Sequence, residues 1–83
     1  MIEDQLRLET DKWLERAKDE RKEIRLADET RKDFLRNIDA YISDCEHFLK
    51  ENKLILAFEA IIWAWSWISI GKELGIFKTD RRS

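Results

Sequence analysis

The sequence predicts an all-α fold, an up-and-down antiparallel three-helix bundle with a hydrophobic C-terminal helix, and three observations predict it. The 83 residues include no proline and only two glycines, so little in the chain interrupts helical backbone. Apolar residues recur at helical spacing in three successive segments. Charge is concentrated in residues 1–50, whereas Leu54–Gly71 carries a single charged residue, Glu59. Two polar helices are therefore expected to wrap one apolar helix. A chain of 10.1 kDa supports one core, so residues 1–77 are read as one domain and 78–83 as a frayed polar tail.

Helix one is expected over about 2–27. Ile2, Leu6, Trp13, Ala17 and Ile24 fall within about 60° of one another at 100° per residue, giving a narrow apolar stripe. Asp28-Glu29-Thr30 then offers cap chemistry, and Thr30 with Asp33 three residues later resembles a capping box. Helix two, about 30–50, has the widest amphipathic face. Phe34, Leu35, Ile38, Tyr41, Ile42, Cys45, Phe48 and Leu49 span an arc of about 140°, enough to touch two neighbours. Asn52 suits the left-handed conformation that ends a helix, and so short a link makes helices two and three an antiparallel hairpin.

Helix three, about 53–74, ends at Gly75, with Ile76 or Phe77 folding back over its last turn. Its length and apolarity invite comparison with a membrane span. Glu59 inside the run, and Trp63, Trp65 and Trp67 near its middle rather than at its ends, argue against one. On a helical wheel, Ala57, Ala60, Ala64 and Gly71 form a groove of small residues. Leu56, Trp63, Trp67, Ile70 and Leu74 line one flank, and Phe58, Ile61, Trp65 and Ile68 the other, so each flank can serve one neighbouring helix. The apolar arc reaches about 240°, more than a bundle helix buries. The excess is either covered by Lys and Arg stems from helix one or left open as an interface.

Composition excludes several functions. With 16 Lys+Arg against 18 Asp+Glu and no long block of one sign, nothing marks a nucleic-acid surface. The single cysteine, Cys45, cannot form an internal disulfide, and the acidic N-terminus lacks the features of a signal peptide, so a reducing cytoplasm is expected. Cys45 and His47 lie about 160° apart on the helix-two wheel and cannot share a metal. Asp44 sits at the edge of the apolar arc near Tyr41 and Phe48, where it could accept a hydrogen bond from another helix. Glu59 is the one carboxylate in the apolar helix, and the wheel places it on the polar stripe with Ser66 and Glu73. Neither has a nucleophile–base pair or a glycine-rich phosphate loop beside it, so no catalytic constellation, metal or cofactor site is expected.

Tyr41, Asp44 and Phe48, followed by Ala57-Phe58-Glu59, Ala64, Trp67, Gly71 and Leu74-Gly75, resemble the pattern of a small archaeal family catalogued as domain of unknown function 357. Trp13-Leu14-Glu15-Arg16 adds a looser similarity. The resemblance implies an all-helical three-helix bundle in an archaeal cytoplasm and brings no activity with it. Asp44 and Glu59 belong to the pattern, whereas Cys45 and His47 do not. The expected role is a non-enzymatic interaction module that pairs with itself as a homodimer, or with a protein partner, through the aromatic face of helix three, with Trp63, Trp65 and Trp67 at its centre. The alternative is a small-ligand-binding or catalytic protein using Glu59 and Asp44.

Overall fold

The computed structural model describes residues 1–79. Helix α1 (Ile2–Glu23) leads into a short strand, β1 (Ile24–Leu26), and a single 3-10 turn over Glu29–Arg31. Helices α2 (Lys32–Lys50) and α3 (Leu54–Glu73) follow, and strand β2 (Phe77–Thr79) closes the described chain. Trp65 of α3 lies beside Trp13 of α1, and Lys72 beside Glu20, so these two helices run parallel. Tyr41 and Phe34 of α2 meet Trp63 and Trp67 of α3 in the reverse order, so α2 runs antiparallel between them. The architecture is the expected up-and-down three-helix bundle.

The first helix stops earlier than expected. Ile24 adopts extended backbone (φ −88°, ψ 144°), and residues 24–26 pair antiparallel with 77–79 in the register Ile24↔Thr79, Arg25↔Lys78, Leu26↔Phe77. The pairing supplies backbone partners that a further helical turn would otherwise provide. Ala27 and Asp28 add to it by donating their N–H groups to the Ile76 carbonyl at 2.8 and 3.3 Å. Lys78 and Thr79 accordingly belong to a strand and not to a frayed tail; the rest of that expected tail, 80–83, lies outside the described residues.

The cap before α2 is also displaced. Asp28 accepts a hydrogen bond from the Thr30 N–H at 3.0 Å, while Asp33 is engaged by the Arg31 guanidinium through two bonds of 3.1 and 3.0 Å. The Thr30–Asp33 capping box therefore does not form. Helix α2 buries Phe34, Ile38, Ile42 and Cys45, and packs Leu35, Tyr41, Phe48 and Leu49 at the edge of the core, as its periodicity predicts. Asn52 takes φ 59°, and the turn closes with the Lys53 N–H on the Phe48 carbonyl at 2.8 Å.

Of the expected stripe Ala17 and Ile24 are buried and Leu6 is half-buried, and helix α1 adds Thr10, Leu14 and Glu20 to the buried face. Ile2 is 81% exposed and Trp13 is half-buried. A wheel that counts apolar residues cannot anticipate the two polar members. The Thr10 hydroxyl is satisfied within its own helix by the Leu6 carbonyl at 2.7 Å, and the Glu20 carboxylate is paired with Lys72, so both sit inside without an unpaired polar atom.

Helix α3 buries Ala57, Ala60, Ile61, Ala64, Ile68 and Gly71. Its small-residue groove is therefore the seam at which the other elements approach, as the wheel predicts. Only one of the two large-residue flanks turns inward throughout, however: of the other, Trp67 packs against Phe34 while Leu56, Trp63, Ile70 and Leu74 remain 44–65% exposed.

Candidate functional site

Among the described residues, chemistry-bearing side chains do not converge. Asp44 is exposed on α2 and makes no hydrogen bond or ion pair among the described residues, so the bond expected from a neighbouring helix is not formed there. Glu59 is exposed on α3 and likewise unpaired among the described residues. An open groove of about 420 Å³ lies elsewhere, between the first turns of α1 and α3, with Ile2, Leu6, Leu54, Ile55 and Leu56 among its lining residues.

Cys45 and His47 point in different directions. The thiol is buried in the core, and burial pushes its pKa up to about 11, with the Glu46 and Asp11 carboxylates adding to the rise. His47 is exposed and sits 3.1 Å from Glu51, one helical turn on. Among the described residues no three metal-ligating side chains cluster.

The aromatic residues form packed pairs. Trp65 meets Trp13 edge-on at 5.8 Å and donates its indole N–H to the Trp13 carbonyl at 3.1 Å. Phe34 meets Trp67 at 4.7 Å and Phe77 at 5.9 Å, both edge-on, and Tyr41 stacks on Trp63 at 6.2 Å. Such geometries match positive ring edges to negative faces. Phe58 is half-buried. Gly71 and Gly75 serve the end of α3: Gly71 makes room for Phe77, and Gly75 takes φ 73°.

Of the three tryptophans expected on the open face, only Trp63 faces water, at 56% exposure; Trp65 and Trp67 are held against α1 and α2. The open face is instead mainly aliphatic. Ile55, Leu56, Ile62, Trp63, Ile70 and Leu74 are each 44–69% exposed on one side of α3. The cationic stems of α1 do not cover them, for Arg16 and Lys12 lie over the Trp13 ring instead. Ile55 and Ile62 fall within the polar stripe of the wheel, beside Glu59, Ser66 and Glu73, so the wheel alone does not mark them as part of the face. Their seven-residue spacing, shared with Leu56, Trp63 and Ile70, was the available signal.

These features define a class: a small all-helical bundle around one apolar helix, with an unpaired hydrophobic face and no clustered reactive groups among the described residues. The chain belongs to the DUF357 family, described as protein of unknown function, whose model matches residues 9–77. That match reaches beyond the hairpin into α1. A protein of this family from Archaeoglobus fulgidus, known from its crystal structure, is 46% identical, with a TM-score of 0.88 over 95% of this chain and 99% of that one. That relative is archaeal. No curated protein matches the chain.

Proposed function

We propose that this protein is a non-enzymatic interaction module of the archaeal cytoplasm that binds protein, its own copy or another, through the exposed side of α3. One observation carries the reading: six large apolar side chains lie open along one helix that the bundle otherwise packs tightly. Exposed large apolar side chains grouped on one side of a helix, here with Glu59, Ser66 and Glu73 running between them, mark contact surfaces. Tryptophan within such a patch is characteristic of energetic centres, and Trp63 is braced from behind by Tyr41.

Helix α3 is long and apolar enough to cross a membrane by length and composition, with mean hydropathy 1.7. The aqueous reading is supported by the buried Ala57–Gly71 seam, which two highly charged helices cover, and by Glu59 in the middle of the open side. A lipid-facing helix would place that carboxylate in hydrocarbon at a cost of about 2.5–3.5 kcal/mol.

The test is retention of proteins from source-cell extract on immobilised wild type and on Ile62→Glu, with both shown equally helical by circular dichroism. The reading expects a bound protein, or the chain itself, to be lost with the substitution. Identical retention and identical self-association in both would overturn it.

A further inference from the structure

We infer that the partner for the open side of α3 is a basic amphipathic helix of another protein, with its apolar residues on the exposed apolar rows and its Lys or Arg heads on Glu59 and Glu73. The inference rests on the interaction reading above and names the chemistry of the partner.

Charge on this side has one sign. From Leu54 to Leu74 the charged residues are Glu59, Lys72 and Glu73. Lys72 is turned to α1, where it holds Glu20, so the open side keeps the two carboxylates. They stand fourteen residues apart in the sequence, about 21 Å along the helix. Both are exposed, and neither has a hydrogen-bond or ion-pair partner among the described residues.

Asp44 adds a third carboxylate at the edge. It follows Tyr41 by three residues on α2, and Tyr41 stacks on Trp63. Because α2 runs antiparallel to α3, Asp44 comes level with Ala60, the neighbour of Glu59 in the chain. It too is exposed and unpaired among the described residues. Arg31, just before α2, does not neutralise this side, for its guanidinium is held by Asp33 and lies over the Phe34 ring.

The rows specify what kind of chain fits. Ile55 and Ile62 recur at seven residues on one side, and Leu56, Trp63 and Ile70 do so on the other. Glu59, Ser66 and Glu73 run between them at the same spacing. Seven residues is the interval at which a second helix can follow a seam. Ser66 already donates its hydroxyl to the Ile62 carbonyl at 3.0 Å, so the middle row presents carboxylates at its two ends. Lys or Arg suits such a row, because a methylene stem lies on isoleucine or tryptophan while the charged head reaches the carboxylate.

Other occupants leave these carboxylates unanswered. A purely apolar helix would take them out of water without a counter-charge. A second copy laid face to face brings the same anionic row and no cation to meet it, and an anionic lipid surface repels it outright.

Two synthetic helical peptides test the inference on the full chain by fluorescence anisotropy. Both carry the same leucines at seven-residue spacing, and the row between the leucines is Lys in one and Glu in the other. The Lys peptide is expected to bind about tenfold or more tighter, because like charges across an interface are costly, and added salt should shrink that advantage. Glu59→Gln with Glu73→Gln, checked for unchanged helicity, should cut the advantage to about threefold or less. Asp4→Asn with Asp19→Asn, an equal change of net charge at exposed positions on α1, should leave it intact. Failure of the Lys peptide to bind, equal affinity for the two peptides, or an advantage that the Asn pair lowers as much as the Gln pair would overturn the inference. Loss of both peptides alike on Ile62→Glu, with no preference between them in the wild type, would overturn the basic partner and leave the interaction reading standing. A dimer by light scattering that Ile62→Glu dissociates has the same consequence. Binding that Ile62→Glu does not diminish would remove the reading and the inference together.

Discussion

The ring of Phe77 occupies the space that a side chain on Gly71 would need. A Cβ built on Gly71 would lie 2.3 Å from Phe77 Cε2 and 2.4 Å from Cδ2. The chain turns back at Gly75, where the Ile76 N–H donates to the Gly71 carbonyl at 2.8 Å. That turn delivers Phe77 both to Gly71 and to its strand partner Leu26. One glycine in the last turn of α3 thus admits the aromatic ring that ties the end of α3 to the end of α1.

Gly71→Ala should therefore destabilise the bundle by about 1–3 kcal/mol, the usual cost of overpacking, although alanine is the better helix former by about 1 kcal/mol. Denaturant titration should show the loss in the wild-type background. In a Phe77→Ala background the same substitution should be neutral or stabilising, and an equal loss in both backgrounds would show that the ring is not the cause.

Trp67 and Trp63 should separate cleanly. Trp67 is half-buried against Phe34, so Trp67→Ala is expected to cost about 2–4 kcal/mol, toward the lower end of truncations of buried aromatics. Trp63→Ala, at an exposed site, should cost about 1 kcal/mol or less, mostly the Tyr41 stacking contact. Urea unfolding of dilute protein followed by circular dichroism measures both; equal costs would mean that the open side of α3 is misassigned.

Acid should loosen the corner between α1 and α2. The Thr30 hydroxyl, then its backbone N–H, holds the Asp28 carboxyl below its ordinary value of 3.8, and the Arg31 guanidinium lowers Asp33 in the same way. A depressed carboxyl stabilises the fold above its unfolded pKa, and this contribution disappears as pH falls through the folded value. Thermal midpoints should thus decline as pH drops below about 4. Asp28→Asn, which retains the cap without a titrating group, should flatten part of that decline, and an unchanged profile would remove Asp28 from the account.

Cys45 should resist thiol reagents. Its thiol is raised from 9.0 to about 11, so the neutral form dominates in the folded protein well past the pH at which a free cysteine ionises. The raised value stabilises the fold below pH 9, and this contribution is lost as pH climbs toward 11. Modification at pH 8 should proceed at the rate of unfolding; fast labelling of native protein would show the thiol to be accessible.

The pairing of Lys72 with Glu20 should be worth more than an exposed ion pair, because the Glu20 side chain is 10% exposed. Lys72→Ala removes a charged donor from a carboxylate largely out of water, and a loss of about 1–3 kcal/mol, the range for a hydrogen bond to a charged group, is expected. Lys72→Arg should restore most of it. Thermal unfolding of the two variants at neutral pH tests the pair, and no loss in Lys72→Ala would show Glu20 satisfied by other groups.

Local chemistry made much of this protein legible from its residues alone. The apolar period of α2 defined its buried face, Asn52 and Gly75 marked where the helices had to end, and the alanine groove of α3 marked the seam, because periodicity and left-handed backbone are properties of a few neighbouring residues. The face burying Thr10 and Glu20 was not legible, since each is admitted by a partner that apolarity does not report. Nor was the strand at Ile24–Leu26, whose partner lies more than fifty residues away. Tertiary packing alone decided which flank of α3 faces water: α1 and α2 both close on the side where small residues let backbones approach, and three helices cannot surround a fourth side.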